Sequence, residues 1–334
     1  MSSGNSSLLR ASQAKQDEFY TQITDIEKEL SHYTEHFRGK TIFCNCDDPE
    51  SSNFWKYFQL NFYRLGLKKL ISTHYDAVKP TYKMEIVSTD KDIQVGIPDY
   101  VKTPLSRNGD FRSPECIEIL KEADIVITNP PFSLFRDYVG QLIKYNKKFI
   151  IIGSQNGITY KEIFPLIKDN KMWLGYHSGD MAFTVPDYYE ERTTRYWIDE
   201  MGQKWRSMGN ICWYTNLDIP KRHEELTLYR TYNAADYPTY ANYDAIEVGK
   251  VADIPADYYR EMGVPLTYLS VHNPDQFEII GSSLWLGKAM KEIAEKGTYV
   301  SGGKRFYLRE DNGDLKYRRL YDRIVIRRKL KEGK

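Results

Sequence analysis

With 334 residues, the chain has room for one large or two medium domains with substantial cores. Its 47 lysines and arginines against 46 aspartates and glutamates leave a net charge of +1, which excludes a globally basic nucleic-acid coat protein. Any affinity for a polyanion must then come from local patches. No stretch approaches the roughly 18 apolar residues of a membrane span, and the polar start Met1-Ser2-Ser3-Gly4-Asn5 has no apolar signal core, so a cytoplasmic protein is expected.

Residues 1–14 read as a disordered leader, and Phe19, Ile23, Ile26 and Leu30 fall at helical spacing in a helix expected over 15–37. Thr41-Ile42-Phe43-Cys44-Asn45-Cys46 follows as a short buried strand, ended by Asp47-Asp48-Pro49. Phe54, Phe58 and Phe62 mark a second helix, Gly66 ends it, and Leu67 to Thr73 is a second strand. Residues 76–108 are polar and irregular and suggest a hairpin insertion. A helix over Pro114 to Lys121, a strand over 123–128, a helix over 133–146 and a strand from Lys148 to Gly153 come next. Residues 159–168 look helical, and 172–176, 182–185 and 211–215 are strand-like. This alternation predicts an α/β fold with a mostly parallel sheet covered on both faces. From about residue 218 prolines and tyrosines become frequent and the alternation weakens, so a domain boundary is expected there. The final stretch is basic, from Lys304 to Lys331 and Lys334, and its Asp311-Asn312-Gly313 is a hairpin signal.

Asn129-Pro130-Pro131-Phe132, directly after the apolar run 123–128, is the most informative segment. It presents an amide, a carbonyl, a rigid turn and an aromatic ring together at a strand end. Such a set can hold an exocyclic amino group and stack on the flat ring carrying it; the alternative is a plain Pro-Pro turn. Ligands of open α/β sheets bind at the carboxyl ends of strands. Asp47, Asp48, Tyr75 and Asp76 fall at such ends, and Asp110 lies in a loop ahead of the strand at 123–128. Singly each could be a helix cap; jointly they favour a nucleoside-type ligand. No Gly-x-Gly-x-x-Gly or Walker sequence is present, which disfavours dinucleotides and nucleoside triphosphates. S-adenosylmethionine is a nucleoside that needs no phosphate cradle. Cys44, Cys46, Cys116 and Cys212 form no metal pattern, and His32 with His36, one helical turn apart, lacks an evident third ligand.

With these residues in view, the chain resembles the EcoRI-type DNA adenine-N6 methyltransferases nearly end to end. The matching stretches are Asp17-Glu18-Phe19-Tyr20-Thr21, Cys44-Asn45-Cys46-Asp47-Asp48-Pro49, Asn129-Pro130-Pro131-Phe132-Ser133-Leu134-Phe135-Arg136, Tyr243-Asp244-Ala245-Ile246, Met262-Gly263-Val264-Pro265 and Asn273-Pro274-Asp275-Gln276-Phe277-Glu278. The resemblance implies a Rossmann-like S-adenosylmethionine-dependent catalytic domain over 15–217 and a target-recognition region over 218–334. It implies that Phe19 and Thr21 border the methionine end of S-adenosylmethionine, and that Asp48 or Asp47 binds near its amino-acid moiety. Asp76 would reach the ribose, Asp110 would accept from the adenine amine, and Phe111 would pack on that ring. Asn129 to Phe132 would be the catalytic motif, acting on an adenine flipped out of double-stranded DNA.

Arg305, Arg318, Arg319 and Arg323 of the basic end are the expected phosphate contacts. Modification within a restriction-modification system follows from the resemblance, with GAATTC as a candidate site. The competing readings are an RNA or protein-amide methyltransferase, and a DNA-binding regulator that keeps the fold without catalysis. Phe132, where amide methylators prefer Tyr, weighs against the first, and the intact motif against the second.

Overall fold

Ile125-Val126-Ile127 and Phe149-Ile150-Ile151-Ile152 are apolar at every position, the pattern of strands covered on both faces, and all seven side chains are buried. The computed structural model describes residues 19–88 and 96–330; the expected leader over 1–14, and Lys331 and Lys334, lie outside the described residues. The chain divides into two units, one running to Ile167 and taking in Met172–Leu217, the other taking in Lys168–Lys171 and running on from Asp218.

The first unit is built on one ten-stranded sheet. Its strands are β1 (Tyr20–Thr21), β2 (Thr41–Cys44), β3 (Lys69–Thr73), β4 (Tyr82–Val87), β5 (Val101–Pro104), β6 (Ile125–Thr128), β7 (Lys148–Ser154), β8 (Trp173–Thr184), β9 (Tyr196–Ile198) and β10 (Lys204–Thr215). They lie in the order β1-β8-β10-β7-β6-β2-β3-β4-β5, with β9 paired to β10. The centre β3-β2-β6-β7 is parallel. The flanks are antiparallel, so the sheet is mixed rather than mostly parallel. On one side β4 and β5 fold back as short antiparallel returns; on the other β10 runs back between β7 and β8, and β1, from the start of the unit, is added at the edge. The two strands expected at 172–176 and 182–185 are one, β8, whose intervening residues continue the ladder with β10.

Four helices pack around this sheet near the strand ends of interest: α1 (Ile23–Leu30), α2 (Asn53–Leu60), α3 (Pro114–Glu122) and α4 (Phe135–Lys144). Ser52 Oγ caps α2 by accepting from Phe54 N, and Ser113 Oγ caps α3 by accepting from Cys116 N, with Pro114 at the first helical position. The helix expected over 15–37 is shorter. Tyr20 and Thr21 are pulled into the sheet opposite Thr184 and Phe183, Gln22 is extended, and the helix starts at Ile23. Glu29 on α1 is fully buried and accepts from Tyr176 N at 2.8 Å, His177 N at 2.9 Å and Tyr33 Oη at 2.9 Å. These two backbone donors sit where the β8–β10 register slips between Cys212 and Tyr214, so one carboxylate replaces the missing ladder bonds.

The second unit holds a four-stranded sheet, β11-β12-β16-β13, and a separate two-stranded ribbon, β14-β15. The strands are β11 (Ile246–Glu247), β12 (Glu261–Pro265), β13 (Phe277–Ser282), β14 (Tyr307–Asn312), β15 (Leu315–Arg319) and β16 (Arg323–Arg328). The hairpin expected at 311–313 is present one residue later, because Asn312 pairs with Leu315 and Gly313, at φ 64°, opens the turn. No helix among the described residues is long and apolar enough to cross a membrane.

From β2 the chain passes to β3 on one side and later returns to β6 on the other, so the order reverses between β2 and β6. The loops after β3 and before α3 are fastened together beside that point. Asp76 N donates to Asn108 O at 3.2 Å, Leu105 N to Thr81 O at 2.9 Å, and Thr81 Oγ1 to Arg107 O. Gly109, at φ +72°, lies so close that a Cβ there would stand 2.1 Å from His74 O. Gly39 has nearly the same backbone, at φ +69°, with nothing within 4 Å. Gly39→Ala is therefore expected to cost about 1 kcal/mol from backbone strain alone. Gly109→Ala should cost a further 1–3 kcal/mol, on the order of an overpacked site, and the difference between the two denaturation midpoints measures the clash.

Candidate active site

Asn129 sits at the carboxyl end of β6 with 9 % of its surface exposed, and Pro130 beside it is buried. Its Nδ2 donates to Phe19 O at 2.8 Å and to Thr21 Oγ1 at 3.3 Å. A backbone carbonyl only accepts, so the nitrogen must face Phe19 and the amide orientation is fixed. Its Oδ1 is buried and has no hydrogen-bond partner among the described residues. An unmet buried acceptor costs about 1–3 kcal/mol, and native structures hold few of them without a use. Pro131 O accepts from Leu134 N at 3.0 Å, which closes the turn after the motif. Phe132 is half-buried, stacked on Phe19 with ring centroids 5.6 Å apart. Phe19 in turn packs on Phe183 and Tyr189. Phe19 and Thr21 thus hold the motif's asparagine itself, a role that follows from the pairing of Tyr20–Thr21 with β8.

Asp47 joins the two strand ends at the point of reversal. Its Oδ2 accepts from Thr128 Oγ1 and from Asn129 N at 3.3 Å, and its Oδ1 accepts from Ser52 Oγ at 3.0 Å. Thr128 Oγ1 also accepts from Cys46 N at 3.2 Å, and Tyr138 Oη of α4 donates to Asn45 Oδ1. Burial pushes the Asp47 carboxyl up to about 7 despite the hydrogen bonds from Thr128, Ser52 and Asn129 that favour its charged form. Asp47 is therefore committed to the protein's own groups. Sequence reasoning missed Thr128, Ser52 and Tyr138, although the hydroxyl immediately before Asn129 was a usable signal.

Asp48 is the more available of the two acids. Its Oδ1 accepts from Tyr82 Oη at 3.0 Å and its Oδ2 faces His74 Nδ1 at 3.4 Å, with the side chain 23 % exposed. Asp76 is engaged through one oxygen: its Oδ1 accepts from Val78 N at 2.8 Å and Lys79 N at 2.9 Å, and those bonds hold its carboxyl below the usual range. Asp110 lines an open cleft of about 470 Å³ together with Arg107, Asn108, Arg112, Ser113 and Pro114. Phe111 is 5 % exposed, edge-on to Tyr138 at 5.1 Å and covered by the Arg112 guanidinium 5.0 Å from its centroid, so it packs in the core and offers little open face to a ligand. No group of three or more His, Cys, Asp or Glu that could hold a metal occurs among the described residues. His32 stacks on Tyr176 at 3.7 Å.

In the second unit the four arginines differ. Arg323, 11 % exposed, is turned inward: Nη2 donates to Glu247 Oε1 at 2.7 Å and Nε to Oε2 at 3.0 Å, while Tyr240 Oη donates to the same carboxylate. Its expected phosphate contact is corrected to a structural ion pair. Arg305 pairs with Asp322 at 2.7 Å and Arg318 with Glu310 at 2.6 Å, both partly open to solvent. Arg319 donates to Ser301 O at 2.8 Å. Arg309 and Lys316 of the same ribbon are exposed and have no carboxylate partner among the described residues.

A test of the Asp47 bridge comes from its raised pKa. Between about 4 and about 7 the folded state holds a proton on this carboxyl that the unfolded chain has released, so stability falls as pH rises through that window. Asp47→Asn stays neutral throughout. Its urea midpoint is expected to change less than that of the wild type between pH 5 and pH 8, by on the order of a few kcal/mol in stability.

The family profile described as Adenine-specific methyltransferase EcoRI matches residues 7–329. The Type II methyltransferase M.EcoRI of Escherichia coli is 48 % identical over 312 residues, covering 89 % of this chain and 93 % of that protein. M.MgeORF184P of Mycoplasma genitalium is 41 % identical, covering 81 % of this chain and 84 % of its own. M.MpnI of Mycoplasma pneumoniae is 37 % identical over 329 residues, covering 96 % and 97 %. No solved structure matches the chain. A Rossmann-like mixed sheet, an asparagine held at its point of reversal and similarity over almost the whole length agree: the chain belongs to the EcoRI family of adenine-specific methyltransferases.

Proposed function

We propose that the protein methylates adenine at N6 in double-stranded DNA, as the modification enzyme of a restriction-modification system, with S-adenosylmethionine as the methyl donor. The observation that carries this reading is the unpaired, buried Oδ1 of Asn129 beside Pro130 and Phe132. Adenine N6 is a poor nucleophile because its lone pair is delocalised into the ring. Accepting its two N–H groups on Asn129 Oδ1 and the Pro130 carbonyl favours a lone pair localised on nitrogen. Phe132 supplies a ring for stacking, and its support by Phe19 fixes that ring. Such a site works by positioning and electrostatics and needs no strong base. A base inside a duplex cannot reach it, so the target adenine must be flipped out at a cost of a few kcal/mol. The names of the three relatives, all type II methyltransferases, favour DNA as the substrate.

S-adenosylmethionine, when bound, supplies an electrophilic methyl group. The acids around the β2–β6 reversal suit it: Asp48 for its amino-acid end and Asp110, on the cleft, for its adenine. Asp76, with one oxygen taken by backbone donors, keeps the other for a ribose hydroxyl. The region from 218 onward is assigned target recognition, with phosphate contacts from the exposed cations of the β14–β15 ribbon, Arg309, Lys316, Arg318 and Arg319. A two-stranded ribbon is of a size that enters the major groove.

Asn129→Ala is expected to lower methyl transfer by at least about 10²–10³-fold while DNA binding survives. The measurement is methyl incorporation into duplex DNA, with N6-methyladenine mapped by sequencing, which also tests GAATTC as the site. A wild-type protein that methylates no DNA would sink the reading. The ribbon assignment is tested by Arg309→Ala with Lys316→Ala. The pair should weaken binding similarly on all sequences and reduce the salt slope of log K by about 2. Arg323→Ala should instead lower stability, by about 3–5 kcal/mol, because Glu247 is left buried and unpaired.

A further inference from the structure

We infer that Arg112 is a positioning residue for the methyl donor's adenine, holding the Asp110 carboxylate so that one acceptor site remains for an exocyclic amine. The inference rests on the proposed function for the identity of the ligand. Its geometry comes from the cleft. Asp110 Oδ1 accepts twice, from Arg112 N at 2.8 Å and Arg112 Nε at 2.9 Å, and Oδ2 accepts once, from Arg112 Nη2 at 2.7 Å. A carboxylate offers roughly four acceptor sites, so a single lone pair, on Oδ2, is left over. The arginine grips the acid from within the same turn, fixed further by Asp110 N donating to Asn108 Oδ1 at 3.2 Å and by Ser113 N donating to Asp110 O at 2.8 Å. The Asp110 side chain is 20 % exposed and Arg112 is half exposed, both on the cleft wall.

This arrangement selects chemistry in two ways. A remaining acceptor welcomes an N–H and repels a carbonyl, so an amino-purine is preferred over an oxo-purine. The planar two-point grip also fixes the direction of that acceptor, which a lysine could not do. Burial pushes the Asp110 carboxyl up, but the hydrogen bonds and charge of Arg112 outweigh it and keep the acid ionised. The other groups that feel this pair are Tyr75, Cys46 and Cys116 near Asp110, and Asp137 near Arg112; Arg107 lines the same cleft. Of these only Arg107 is a cation, and it shares the cleft wall, while among the described residues Arg112 alone grips the carboxylate with its guanidinium.

Calorimetric binding of S-adenosylmethionine, and of its analogue with hypoxanthine in place of adenine, tests the inference without catalysis. At pH 8 Arg112→Ala is expected to bind the donor about 10-fold more weakly, and the amino-over-oxo preference should shrink by a similar factor. On acidification the variant should begin to lose affinity at a higher pH than the wild type, because Asp110 without Arg112 protonates earlier. Arg112→Lys should restore the wild-type pH profile but not the preference. Thermal unfolding of each variant is recorded alongside, and if Arg112→Ala fails to fold, Arg112→Lys carries the comparison through its reduced preference. Equal or tighter binding by Arg112→Ala with the preference intact would overturn the inference, since the arginine would then merely block the cleft. A wild type that binds no donor would overturn the proposed function as well. Asp110→Ala binding as well as wild type would overturn the adenine subsite while leaving the Asn129 chemistry standing.

Discussion

An asparagine tethered through its nitrogen is the constraint on which the site depends. Phe19 O and Thr21 Oγ1 take the Asn129 Nδ2 hydrogens, so the amide cannot turn over, and its oxygen is left buried without a partner among the described residues. The protein tolerates an unfavourable desolvated acceptor because the elements around it leave no alternative. Phe19 and Thr21 can reach Asn129 only because Tyr20 and Thr21 form a strand on β8. β1 is only two residues long, but without it the amide of Asn129 would be free to rotate.

The sheet's reversal explains why acids collect where they do. β2 and β6 are neighbours whose chains depart to opposite sides, so the loops at their carboxyl ends part and leave a crevice. Something must still hold the strand ends together at that crevice, and Asp47 does so through Thr128, Asn129 and Ser52. Adjacent acids thereby take different work. Asp47 looks inward and is pushed towards neutrality, whereas Asp48 faces Tyr82 and His74 at the opening. The chemistry proposed for Asn129 is thus tied directly to the fold's own fastening, one hydrogen bond away.

What the sequence made readable was local. Asn129 to Phe132 carries its chemistry in four consecutive residues after an apolar run, and the parallel core strands show as unbroken apolar stretches. What stayed hidden depended on partners far along the chain. Phe19 continues the helical spacing of Ile23, Ile26 and Leu30, and only pairing with Thr184 and Phe183 takes its neighbours out of the helix. Two strands read as separate because polar residues between them gave no periodic signal, yet β10 pairs with β8 at both ends and in between, with two slips of register. Phe111 looked like a ring for adenine beside Asp110, but its packing in the core is decided by Tyr138, far along the chain on α4.

The same limit governs the basic end, where counting cations overstates what can meet a phosphate. Exposed ion pairs are worth about 0–1 kcal/mol, so Arg305 and Arg318 can exchange Asp322 or Glu310 for a phosphate at little cost. Arg323 cannot, because leaving Glu247 would strand a buried carboxylate, a loss of about 3–5 kcal/mol that one phosphate contact would not restore. Exposure therefore separates cations free to meet a phosphate from cations that hold the second unit together. With the net charge of the chain only +1, affinity for a polyanion must come from local patches of exposed cations. Phosphate contacts carry no sequence information, so under the proposed function discrimination between sites rests on base edges and on the free energy of extracting one adenine towards Asn129.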